Sequence, residues 1–115
     1  MPRVEKGENP ATGLGALETL MARRQDEVTA AVQRRLDTFA QTRGYDNIFT
    51  ATTYASSTDP YFRAEGECAV QARDMTWRMA YQILGAVLAG ARPEPTLEEL
   101  MAELPELHWP DAGAI

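Results

Sequence analysis

The chain has 115 residues, 44% of them hydrophobic and 24% charged, with a net charge of −6. That length and balance fit one globular domain with a small core. No run of about 18 apolar residues is present to span a membrane, and the first 13 residues lack the apolar stretch of a secretory signal. Cys68 is the only cysteine, so no intrachain disulfide can form.

The charge is unevenly placed. Residues 1–93 carry all 11 basic groups and 11 of the 17 acids, and so sum to zero. Glu94, Glu98, Glu99, Glu103, Glu106 and Asp111 follow with no Lys or Arg among them. Such an end repels phosphates, so no nucleic-acid partner is expected there. A basic partner surface or a solvated acidic face both suit it.

Residues 1–13, with Gly7, Pro10 and Gly13, read as an extended leader. The helical domain is expected over 14–104, and residues 105–115 as an extended acidic tail. Within 16–43, Leu17, Met21, Val28, Val32, Leu36 and Phe39 recur on one face of a 3.6-residue period, which predicts a helix. Gly44 stands where a left-handed cap residue is wanted. In 45–58, Asp46 is expected to cap a short helix or helical turn, although the β-branched and aromatic content equally suits an extended piece.

Asp59-Pro60 is a strong helix start, since Asp accepts from free N–H groups and Pro loses no bond at the first position. The helix is predicted to run to about Ala89, with Phe62, Cys68 or Ala69, Val70, Trp77, Tyr81, Leu84 and Leu88 as its stripe. Gly66 and Gly85 each weaken it by roughly 1 kcal/mol relative to Ala. Glycines placed so often mark a close neighbouring backbone. Thr96 and Glu99 form a capping box for a short helix that Pro105 stops. The expected fold is therefore all-α: a long two-helix hairpin, a short connecting segment and a small C-terminal helix. Its predicted core contains Val32, Leu36, Phe39, Val70, Trp77, Tyr81 and Leu84. Two helices of 28–30 residues, about 42–45 Å long, cannot fully bury their stripes against each other with so few residues left to cover them. A homo-oligomer is the expectation.

No catalytic, cofactor or metal constellation is visible. His108 and Cys68 cannot supply the three or four ligands a zinc ion needs. They are 40 residues apart without a nucleophile motif, and Cys68 reads as a packed helix residue. Glu65-Gly66-Glu67 and Glu98-Glu99 read as solvated edges, because neighbouring helix residues point about 100° apart. Gly13-Leu14-Gly15 lacks the Lys and Ser/Thr of a phosphate loop. Trp109, between Pro105 and Pro110, either folds back on the helices or anchors in a partner's pocket. With His108, Glu98, Glu99 and Glu103 it forms the candidate partner-binding set, and the tail is expected to serve binding more than folding.

Arg43-Gly44-Tyr45-Asp46-Asn47-Ile48, Tyr54-Ala55, Phe62-Arg63-Ala64-Glu65-Gly66, Arg73-Asp74 with Trp77 and Tyr81, Pro95-Thr96, Leu104-Pro105 and Trp109-Pro110 carry a resemblance. Over residues 43–110 the chain resembles small proteins encoded among the tail genes of tailed bacteriophages and prophages. It is also distantly similar to phage tail assembly chaperones, whose elements are more closely spaced. The resemblance implies a non-enzymatic protein of the virion tail, or of the host cytoplasm during assembly, that binds phage tail or tail-fibre proteins or itself. A tail or tail-fibre assembly chaperone and a small inhibitor of a host protein are the alternatives.

Overall fold

A computed structural model describes residues 14–111, with side chains from residue 23 onward. The extended-leader expectation, residues 1–13, lies outside the described residues. The protein is mostly helical, and no strand occurs among the described residues. Four α-helices follow in order: α1 Leu14–Gln41, α2 Ile48–Thr52, α3 Pro60–Leu88 and α4 Leu97–Glu103, with a 3₁₀ turn Thr53–Ser56 after α2. None of the described helices is long and apolar enough to cross a membrane. The chain divides into two compact units, Met1–Ala30 and Ala31–Ile115, and α1 runs through the division. In the first unit Arg24 and Glu27 pair across one turn at 3.2 Å, a contact of a few tenths of a kcal/mol. All that follows concerns the second unit.

Local rules set the element ends. After α1, Gly44 takes φ 88°. Its N–H bonds to the Gln41 oxygen at 3.0 Å and that of Tyr45 to the Ala40 oxygen at 3.2 Å. After α3, Gly90 takes φ 76°, with Gly90 N–H to Val87 O at 3.0 Å and Ala91 N–H to Ala86 O at 2.8 Å. Both are the paired bonds of a glycine-closed helix end. Asn47, not Asp46, caps α2: its side chain accepts from Thr50 N–H at 2.8 Å. The difference is one residue of phase, since an Asx side chain reaches the N–H groups two or three residues on. Asp59 accepts from both Tyr61 and Phe62 at the start of α3. The Thr96–Glu99 capping box is present in both directions.

The core holds Val32, Leu36, Phe39 and Ala40 of α1, Ile48 and Ala51 of α2, and Leu100 and Leu104 near α4. The face that α3 buries is Glu65, Gly66, Ala69, Ala72, Thr76, Ala80 and Ile83; it shares only Ala69 with the predicted stripe. Val70, Trp77 and Leu84 are half-buried. Tyr81 is 61% exposed, Leu88 57% and Phe62 44%, so Tyr81 is no core residue. The reason is steric. At Gly66 the backbone of the 3₁₀ turn comes close, which faces this small-residue ridge inward, and successive residues point about 100° apart. Reading the stripe from the large side chains turned the helix by one residue.

Gly66 shows how close the approach is. A Cβ there would stand 2.0 Å from Ala55 N and 2.3 Å from the Tyr54 carbonyl carbon. Gly85 is the opposite case, an exposed helix residue with nothing within 4 Å of a Cβ. Gly85→Ala is expected to raise stability by about 0.5–1 kcal/mol, because alanine restricts the unfolded chain and adds no clash. A melting temperature unchanged or lowered by this substitution would contradict the packing described.

Candidate interaction surface

The turn after α1 aims two side chains at α3. Glu65, 3% exposed, receives the guanidinium of Arg43 and the hydroxyl of Tyr45, the latter at 2.6 Å. Sequence reading placed Glu65 on a solvated edge; only Glu67 of that pair is exposed. The signal that could have found Glu65 is its spacing: it lies four residues before Ala69, on the small-residue ridge. Arg43 also donates to the Tyr61 hydroxyl and the Pro110 oxygen, each at 3.1 Å. Its guanidinium carbon lies 5.4 Å from the Trp109 ring centre.

Burial, then the hydrogen bond to the Glu65 carboxylate, pushes the Tyr45 phenol far above its ordinary value of 10.0. The neutral phenol is thus favoured by folding. That contribution is complete below about pH 10 and is lost as pH rises above it, where the unfolded chain ionises and the folded one does not. Urea midpoints should therefore fall above pH 10, and fall less steeply in Tyr45→Phe. Equal slopes in the two proteins would contradict the placement of this hydroxyl.

Trp109 folds back on its own chain. Its ring stacks on Phe39 at 4.3 Å and 8°, and its Nε1–H donates to Phe39 O at 3.1 Å and to Thr42 Oγ1 at 2.9 Å. Of the two alternatives for Trp109, this is the fold-back on the helices, and the indole is half-buried.

Three other members of the predicted set, Glu99, Glu103 and His108, also have intramolecular contacts. Glu99 closes the capping box. Glu103 is held by both terminal nitrogens of Arg92, at 2.9 and 2.6 Å, which lowers its pKa. His108 points an exposed ring to Glu106 at 3.2 Å. Glu98 is exposed on the rim of an open hollow of about 630 Å³ that Ala31, Arg34, Arg35, Thr38, Leu97 and Met101 also line. Cys68 and His108 do come together, but through the backbone: the thiol donates to the His108 carbonyl at 3.0 Å. Burial raises the thiol pKa, so the reactive thiolate is disfavoured. Among the described residues no three His, Cys, Asp or Glu side chains gather to hold a metal ion.

What reaches the surface is aromatic. Rings run in contact from Phe39 to Trp109, Tyr45, Tyr54, Phe62 and Tyr61, with centres 4.3 to 5.9 Å apart. The row begins in the core and ends in solvent, where Tyr54, Tyr61 and Phe62 are 37%, 38% and 44% exposed. On α2, Phe49 is 74% exposed. Rigid aromatic rings beside an arginine are the side chains that contribute most where proteins meet. No family model, curated protein or solved structure matches the chain.

Proposed function

We propose that the chain is a non-enzymatic protein of a bacteriophage tail that acts by binding other tail proteins or further copies of itself. The observation that carries this reading is the exposed end of the aromatic row, Tyr54, Tyr61 and Phe62, with Phe49 on α2. Apolar rings left in water cost free energy that a partner's surface recovers, at about 25 cal/mol per Å² covered. Two of these four residues, Tyr54 and Phe62, lie in segments that carry the resemblance to tail-locus proteins. In this reading the two long helices form a hairpin. Its unburied side chains on α3, Tyr81 and Leu88, offer a second apolar surface for association.

Quantitative mass spectrometry of purified particles, from the phage or prophage that encodes the chain, tests the proposal. The expected result is a fixed copy number per particle. Absence from finished particles, with capture by a tail protein in infected cells, would replace it with the assembly-chaperone reading.

A further inference from the structure

We propose that the slot holding residues 105–110 is a recognition site for an extended Trp-Pro segment, and that the same segment of a second copy of this chain fills it by exchange. The inference rests on the reading that the protein binds itself, and names the surface that does so.

The slot holds the segment as peptide-binding grooves hold an extended ligand, by its backbone and one large side chain. Arg35 Nη2 donates to the Pro105 oxygen at 3.0 Å, Cys68 Sγ to the His108 oxygen at 3.0 Å, and Arg43 Nη2 to the Pro110 oxygen at 3.1 Å. Trp109 fills the aromatic seat against Phe39 and Tyr45 and donates its own N–H to Phe39 O and Thr42 Oγ1. No backbone–backbone hydrogen bond holds residues 105–111 among the described residues. Every polar tie between segment and slot therefore has a side chain on one end, and none depends on the two being one chain. Pro105 and Pro110 hold the segment extended in advance and bring no N–H that would need a partner.

The donors and the aromatic seat select the occupant. Arg35 and Arg43, the latter already paired with Glu65, grip the segment by the Pro105 and Pro110 oxygens. A second copy offers the same backbone oxygens with the same Trp-Pro, so each contact is reproduced between chains. Only the effective concentration of the tethered segment favours the internal arrangement. Exchange of one identical element between copies is a low-cost route to a dimer.

The test uses full-length protein and a labelled synthetic peptide of residues 104–111. Trp109→Ala empties the aromatic seat of its tethered occupant. This variant should bind the peptide at least about ten-fold more tightly than the wild type does, because the tethered competitor is gone. A peptide with alanine in place of the tryptophan should lose binding. In sedimentation equilibrium, Trp109→Ala should weaken self-association by about ten-fold or more. If Trp109→Ala does not fold, Trp109→Leu, which keeps apolar bulk in the seat, takes its place. Equal peptide affinity for wild type and folded variant would overturn the slot. Peptide binding with unchanged self-association would overturn the second copy as its occupant. Incorporation into particles is read separately, so failure here leaves the tail-protein reading standing.

Discussion

Gly66→Ala is expected to destabilise the protein by about 4 kcal/mol or more. Overpacking a core costs about 1–3 kcal/mol when side chains can move aside. Here they cannot help, because the atoms in the way are backbone: Ala55 N at 2.0 Å, the Tyr54 carbonyl carbon at 2.3 Å and Ala55 Cα at 2.7 Å. Real Cβ atoms do not approach that closely, so α3 must separate from the 3₁₀ turn. Separation loosens the seating of Tyr54 on Tyr45 and Phe62, which depends on that contact. Urea titration followed by circular dichroism reads the loss as a lowered midpoint at an unchanged slope. A midpoint within error of the wild type would show that α3 does not pack as described.

Arg43→Ala should cost about 3–5 kcal/mol, the range for breaking a buried ion pair from one side. The Glu65 side chain is 4% exposed and that of Arg43 30%. Removing Arg43 therefore strands a carboxylate that water cannot reach, with only the Tyr45 hydroxyl left to it. Removing Glu65 instead leaves a cation that water can partly solvate, and Glu65→Ala should cost less. Arg43→Ala also removes the bonds to Tyr61 and Pro110. The double variant Arg43→Ala/Glu65→Ala should be more stable than the sum of the two losses requires, with a coupling of roughly 1–3 kcal/mol. Additive losses would mean that the pair does not act as a unit.

The all-helical class and the helix ends were legible in the sequence, because their causes are local. Gly44, Gly90, Asp59-Pro60 and the Thr96–Glu99 box act on neighbours within a few residues. The face that α3 buries was not legible. Periodicity weights large apolar residues, and Tyr81, Leu84 and Leu88 mark a ridge about 100° from the one that packs. What turns the helix is the closeness that Gly66 allows, a tertiary fact. The alternatives for Trp109 stayed open for the same reason. Its seat is built from Phe39, Thr42, Arg43 and Tyr45, some 65 residues away or more in sequence. Glu65 was missed because a lone carboxylate reads as a surface group until its cation is found, here 22 residues earlier.

The exposed aromatic side chains should matter more for binding a partner than for the fold, and substituting Phe49 and Phe62 with serine in the phage genome separates the two roles. Stability of the purified variant and its copy number in particles are then measured together. The expected result is a modest loss of stability, arising at Phe62, which is 44% exposed and touches Tyr54 and Tyr61, more than at Phe49, which is 74% exposed, together with loss of the protein from the particle. Normal incorporation at normal stability would contradict it.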